Sequence, residues 1–205
     1  DQTVLSVAAS GDHAFEAYLA GAKHVVAIEK DKTTMPILSQ IIDVSDNRVN
    51  VIYDDALRVD FSSLGLSEYS VCANLPYNVG TELLIGWLHK IASGEQIASM
   101  TLMFQREVAL RITSKPGDEH YGRLAVLTSL LADAKILFDV PNTAFVPRPK
   151  VQSAVVQIIP NAAKISLIQD LSKIEKITAK LFGQRRKMIR TIMPNVDWSS
   201  FGLSG

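Results

Sequence analysis

The sequence is poor in the features that would take it out of ordinary aqueous folding. It has a single cysteine in 205 residues, Cys72, so no disulfide forms within the chain and folding does not depend on oxidation. No run of 18 apolar residues occurs, and the N-terminus lacks the basic cap and apolar stretch of a secretory signal, so neither a membrane span nor export is expected. The four histidines, His13, His24, His89 and His120, show no ligand spacing with Cys72, and no metal is expected. These absences together predict a cytoplasmic protein, or one of an organelle matrix, with no membrane partner. The chain enters a strand-like run, Val4-Leu5-Ser6-Val7, with no element before it, so a missing upstream segment is expected too.

What is present fits a globular chain: 47% hydrophobic and 20% charged residues, with 11 glycines and 8 prolines. The length suits one large domain and a small one. A formal net charge of zero hides a division. Residues 1–140 hold 11 Lys and Arg against 18 Asp and Glu, whereas 141–205 hold 10 against 3, so a part at −7 precedes a part at +7. Such asymmetry predicts a polyanion facing the C-terminal part. A solvated basic helix that merely balances an acidic domain is the competing reading.

Over the first two thirds, short β-branched runs alternate with helical patterns, the signature of a parallel sheet covered by helices. Strands are expected over 3–7, 24–28, 49–53, 70–73 and 99–104, and helices over 12–20, 32–44 and 81–92, the last with Thr81-Glu82 at its cap. After Gln105 come helices over 106–113 and 124–131, separated by the turn Lys115-Pro116-Gly117-Asp118, and then strands over 135–140 and 153–159 that close the sheet as an antiparallel pair. Pro160-Asn161 reads as a linker. Apolar residues at helical spacing fill 165–193, with Ile174, Ile177, Leu181 and Phe182 on one face. Trp87 belongs to the core.

The opening strand, loop, helix and strand read as a nucleotide-binding βαβ unit. Glu29 ends the second strand, where a carboxylate accepts hydrogen bonds from a ribose diol; a plain surface glutamate is the alternative. The loop Ala8-Ala9-Ser10-Gly11-Asp12 has one glycine where a dinucleotide fingerprint has three, which disfavours a pyrophosphate ligand and fits one with an amino-acid tail. Asp55 follows the third strand, placed for an adenine amino group or for turn capping.

Asn74-Leu75-Pro76-Tyr77 directly follows the fourth strand, so its polar groups emerge beside the ligand loop. That string suits methylation of an exocyclic base amine. The nitrogen lone pair is delocalised into the ring and becomes nucleophilic only when acceptors hold its hydrogens. The Asn74 side-chain oxygen and the Leu75 carbonyl supply them while the Tyr77 ring stacks on the base.

The chain resembles the ribosomal small-subunit RNA adenine dimethyltransferases, relatives of the erythromycin-resistance RNA methylases. The resemblance rests on Asn74-Leu75-Pro76-Tyr77-Asn78-Val79, Gln105-Arg106-Glu107-Val108-Ala109, Pro116-Gly117 with Tyr121-Gly122-Arg123-Leu124, and the string from Phe145-Val146-Pro147-Arg148-Pro149-Lys150 through Val155. Gln184-Arg185-Arg186-Lys187, expected in a C-terminal helix, adds to it. It implies an α/β, Rossmann-like, S-adenosylmethionine-dependent methyltransferase domain over 1–160 and a small, shortened helical domain over 161–205. The reaction implied is transfer of four methyl groups to the N6 atoms of two adjacent adenosines near the 3′ end of small-subunit RNA, in a monomer acting on that RNA or on an assembling small-subunit particle.

The residues implied for the cofactor are Ala8, Ser10, Gly11, Glu29, Lys30, Asp55, Ala56 and Asn74. Asn74, Leu75, Pro76 and Tyr77 surround the target amine, and Phe145 meets the target base. RNA contacts are expected from Arg106, Arg148, Lys150, Arg185, Arg186, Lys187 and Arg190. The chain departs from the family where Ala8-Ala9-Ser10-Gly11-Asp12 replaces a Gly-Pro-Gly-x-Gly loop. Two other readings stay open: an RNA-binding assembly or transcription factor of the same fold without turnover, and a large-subunit RNA methylase that confers antibiotic resistance.

Overall fold

The computed structural model describes residues 2–7 and 12–197. Ala8, Ser10 and Gly11, expected at the cofactor, lie outside the described residues. Seven strands form one sheet in the order β3-β2-β1-β4-β5-β7-β6: β1 (Thr3–Val7), β2 (His24–Glu29), β3 (Val49–Tyr53), β4 (Tyr69–Asn74), β5 (Ile97–Gln105), β6 (Ala132–Val140) and β7 (Ser153–Pro160). The first five are parallel; β7 runs antiparallel to β5, and β6 antiparallel to β7. The α/β architecture expected from the alternation, including its antiparallel closure, is present.

The helices are α1 (Asp12–Leu19), α2 (Met35–Val44), α3 (Gly80–Ala92), α4 (Arg106–Thr113), α5 (Arg123–Leu131), α6 (Ala162–Ile165), α7 (Leu171–Phe182) and α8 (Ile189–Ile192). Two apolar layers sandwich the parallel half. On one face Leu5, Val7, Val71, Met100 and Leu102 meet Leu83, Leu84, Trp87, Leu88 and Ile91 of α3, whose three- and four-residue spacing turns a single stripe inward. On the other face Val25, Ala27 and Val49 meet Ala14 of α1 with Leu38 and Ile41 of α2. Burial on both faces explains why β2 reads as a continuous apolar run. In the antiparallel half, Met100, Leu102 and Phe104 sit opposite Ile158, Val156 and Ala154, all buried.

Four expectations are corrected. The 32–44 helix begins as a 3-10 turn over 32–34, capped by Asp31, which accepts from the Thr33 N–H, before α2 starts at Met35. Thr81-Glu82 does not cap α3: the cap is Val79, and the Pro76 carbonyl accepts from the Val79 and Gly80 N–H groups at 3.1 and 3.0 Å. Pro160-Asn161 is no linker, because Pro160 ends β7 opposite Ala132, while Asn161 caps α6 and donates to Asp133.

The fourth correction concerns 165–193, which is not one continuous helix but the two helices α7 and α8 after the last residue of α6, with Ile177 exposed. The helix α7 stops at Gly183, where a Cβ would lie 2.9 Å from the Ala179 carbonyl oxygen, and 184–187 continue as a turn. Ile165, Ile168 and Leu171 pack against the main core. No helix among the described residues is long and apolar enough to cross a membrane.

Trp87 is buried, and its indole N–H has no partner among the described residues. Trp87→Ala should cost about 3–5 kcal/mol through the cavity it leaves. Trp87→Phe should cost under about 1.5 kcal/mol, since it keeps most of the ring and discards an unpaired donor. Urea unfolding of the two variants tests this; equal losses would mean that the indole nitrogen has a partner.

Candidate active site

In the parallel half all strands end at one edge, and the order reverses between β1 and β4, with β2 on one side and β5 on the other. A crevice opens at such a switch point. The register pairs Val7 with Ile28 and with Ala73, and Glu29 with Tyr53, so Glu29, Asp55 and Asn74 come from the carboxyl ends of β2, β3 and β4.

A cavity of about 190 Å³ lies there, lined by Val7, Ile28, Glu29, Lys30, Asp55 and Ala56 on one side of the switch and by Pro76, Asn78, Val79 and Leu83 on the other. Glu29 is buried; one carboxylate oxygen accepts from the Asp31 N–H at 2.7 Å, and the other has no partner among the described residues. A buried carboxylate with a free acceptor at a strand tip fits a ribose diol. Asp55 accepts from Lys30 Nζ at 2.7 Å and from the Leu57 N–H at 3.1 Å, so it caps its own turn as well as lining the cavity. The Lys30 hydrogen bond, then the Leu57 N–H, hold its carboxyl below the ordinary aspartate range. It stays an ionised acceptor.

A second cavity, about 280 Å³, is lined by Asn74, Leu75, Pro76 and Tyr77 from the end of β4 and by Phe145, Pro147 and Pro149 from the loop before β7. Two strings 70 residues apart in sequence therefore form one pocket. Pro76 lines both cavities. The Asn74 side chain is half-buried and has no hydrogen-bond partner among the described residues. Leu75 is buried, and a Cβ at Gly80 would lie 3.2 Å from Leu75 Cβ, so any side chain there would press the string or the helix back by a few tenths of an ångström. The Tyr77 hydroxyl lies 2.7 Å from Oγ of fully buried Ser153 at the start of β7.

The chain has relatives among known proteins. The model of the family described as ribosomal RNA adenine dimethylase covers residues 1–199. The chain belongs to that family. A Rhizobium meliloti protein named ribosomal RNA small subunit methyltransferase A is 48% identical over 191 residues, covering 93% of this chain and 69% of its own. Relatives of that name run longer, the chain spanning between 58% and 72% of their lengths.

Among solved structures, a Plasmodium falciparum dimethyladenosine transferase superposes with a TM-score of 0.80 at 24% identity, over 94% of this chain and 67% of its own. The 23S rRNA methyltransferase ErmE gives 0.75 at 22% identity, over 95% and 75%. The Rossmann-like architecture, the methyltransferase class and the S-adenosylmethionine donor expected from the sequence are those of this family.

The basic residues separate into two groups. Arg148 and Lys150 sit on the loop that carries Phe145; the Arg148 guanidinium donates to Asn142, and Lys150 is exposed. Arg106 Nε lies 3.2 Å from the Asp139 carboxylate. Arg186, Lys187 and Arg190 are exposed beyond α7, and the first two lie on the 183–187 turn rather than in the C-terminal helix expected to carry them. Arg185 is engaged: Nη2 donates to the Tyr121 carbonyl at 2.8 Å, and its guanidinium sits 5.3 Å from the centre of the Phe182 ring.

Sequence reasoning missed Asn78, Val79 and Leu83 in the first cavity, Pro147 and Pro149 in the second, and Ser153 behind Tyr77. Val7 and Ile28 were within reach as the last apolar residues of parallel strands. The Ser153 contact spans 76 residues, and no local pattern carries it.

Two outcomes follow. Tyr77→Phe should leave Ser153 Oγ buried and unpaired at a cost of about 1–3 kcal/mol, and adding Ser153→Ala should recover part of it, a non-additivity visible in thermal unfolding. Additive losses would mean that the hydroxyls do not bond. Glu29→Ala should weaken S-adenosylmethionine by about 1.5–3 kcal/mol in calorimetric titration, the scale of charge-assisted hydrogen bonds, and unchanged affinity would remove Glu29 from the site.

Proposed function

We propose that this chain dimethylates the N6 atoms of two adjacent adenosines near the 3′ end of small-subunit ribosomal RNA, acting as a monomer in the cytoplasm or an organelle matrix, on the RNA or on an assembling subunit. The observation that carries the reading is the meeting of the two cavities at Pro76, with Asn74, half-buried and without a partner among the described residues, on the side away from Glu29 and Asp55. The small-subunit name of a relative at 48% identity favours that RNA over the large-subunit one.

S-adenosylmethionine supplies a methyl on an electrophilic sulfonium. Glu29 grips the ribose hydroxyls, and Asp55 accepts from the adenine amine of the donor. On the other side of Pro76, the Asn74 side-chain oxygen and the Leu75 carbonyl accept the hydrogens of the target amine, localising its lone pair towards the donor. Tyr77 and Phe145 hold the base, the former locked through Ser153. With the donor bound there, that lone pair would be aimed at the sulfonium methyl, and the donor would leave as the neutral thioether. The nitrogen becomes acidic only then, so its proton passes to water and no general base is required.

RNA backbone contacts come from Arg106, Arg148 and Lys150 beside the base cavity and from Arg185, Arg186, Lys187 and Arg190 in the helical part over 161–205, with Arg185 limited by its bond to Tyr121. The positive excess of residues 141–205 supports this assignment.

Asn74→Ala should reduce methyl transfer by about 10²- to 10³-fold, the usual effect of removing one well-placed transition-state partner, while S-adenosylmethionine affinity stays near that of the parent. Mass spectrometry of nuclease-digested small-subunit RNA reads both the dimethyladenosine formed and its position. If the parent protein yields no N6-methylated adenosine from that RNA, the proposal fails.

A further inference from the structure

The cavity proposed for the donor contains a cation that competes for one of its own acceptors. Lys30 and Asp55 both line it, and Lys30 Nζ donates to Asp55 Oδ2 at 2.7 Å. Asp55 is the carboxylate assigned above to the adenine amine. Its other oxygen, Oδ1, accepts from the Leu57 N–H at 3.1 Å, and its backbone N–H donates to Asp54 Oδ1 at 2.7 Å. The carboxylate is thereby fastened to its own turn, and Oδ2 is the oxygen left for a ligand. That oxygen is the one Lys30 holds.

The two partners differ in what they lose by parting. The Lys30 side chain is 76% exposed, on a flexible stem that can swing into water, whereas that of Asp55 is 23% exposed and stays in the cavity wall. An ion pair with so exposed a member is weak and readily exchanged. Binding of an adenine amine at Oδ2 therefore replaces one hydrogen bond with another instead of adding one. The same contact acts on selectivity. A polar site rejects a ligand that lacks the right donor chiefly because its own acceptor is then left unpaired. With Lys30 in reach, Asp55 keeps a partner even when the ligand offers none.

We infer that Lys30 is a specificity-determining residue of the donor site: it occupies Asp55 while the cavity is empty, yields it to an adenine amine, and relaxes discrimination against purines without that amine. The inference rests on the assignment of Asp55 to adenine given above. It concerns binding alone, so it can be tested apart from methyl transfer to RNA.

The test titrates the whole protein calorimetrically with S-adenosylhomocysteine and with its deamino analogue, in which hydrogen replaces the 6-amino group. Sulfur is uncharged in both, which removes any repulsion between the lysine and a sulfonium. Lys30→Met keeps the stem and removes the ammonium. It should bind S-adenosylhomocysteine about 2- to 5-fold more tightly, the scale of an exposed ion pair, and the deamino analogue no more tightly. The preference for adenine should thus grow, by up to about 10-fold where the unpaired carboxylate also weakens the analogue. Lys30→Arg, which keeps the charge, should retain most of the parent's preference. In an Asp55→Ala background, adding Lys30→Met should not shift the preference, because the lysine acts through the carboxylate.

An equal change for both ligands, weaker binding of S-adenosylhomocysteine by Lys30→Met, or the same shift in the Asp55→Ala background would overturn the inference. If Asp55→Ala alone leaves the preference at the parent's value, Asp55 is not the adenine acceptor, and the assignment beneath the inference falls with it. A preference lost in Asp55→Ala but unmoved in Lys30→Met sinks only the role of Lys30.

Discussion

The parallel pairing of β1 with β2 and of β1 with β4 is the constraint on which the site depends. Because side chains alternate along a strand, a one-residue slip of β4 would exchange buried Val71 and Ala73 for their neighbours and carry Asn74 away from its place at the edge. The fully buried Leu5 and Val7 oppose that slip from the central strand. The donor cavity and the base cavity thus inherit their alignment from the hydrophobic register of three strands. Neither Glu29 nor Asn74 needs to contribute to folding in order to be correctly placed.

Register places Asn74 but does not hold the string after it, which has left the sheet. Three contacts do that. The Pro76 carbonyl receives the first donors of α3, Gly80 lets that helix lie against Leu75, and Ser153 holds the Tyr77 hydroxyl. The last matters in a further way, since Ser153 also opens β7 directly after the loop bearing Phe145. Tyr77 is thereby joined to the strand that follows the Phe145 loop, so on the proposed reading this side of the base cavity is set before RNA arrives. That is the condition under which fixed acceptors are effective in a transition state.

Much of this was legible in the sequence because parallel strands turn position into chemistry. A residue at the end of a β-branched run lies at the ligand edge, so Glu29, Asp55 and Asn74 could be named with no contact known. What was not legible depended on particular contacts, some of them between distant segments. The helical spacing over 165–193 is genuine, yet it loses to the Arg185 bond with Tyr121 and to a glycine that ends α7. The capping signal of Thr81-Glu82 loses to a carbonyl five residues upstream. The Arg185 partner is distant in sequence, whereas the Pro76 and Ala179 carbonyls are near neighbours, and in each case the contact, not the residue pattern, decides where the helix begins or ends.

The division of charge along the chain bears differently on function once the structure is known. A count of −7 before residue 141 and +7 after it suggests an acidic catalytic half and a basic RNA-binding half. The folded molecule does not sort itself that way. Arg185, from the basic part, donates to the Tyr121 carbonyl, and Phe182 packs on the Tyr121 ring, so the C-terminal segment is anchored to the loop that begins α5. Arg111 and Arg123, from the acidic part, face the hollow so formed. Net charge over a stretch of sequence predicts long-range attraction of a polyanion, whereas the grip on a particular phosphate depends on which guanidinium groups are left without a carboxylate.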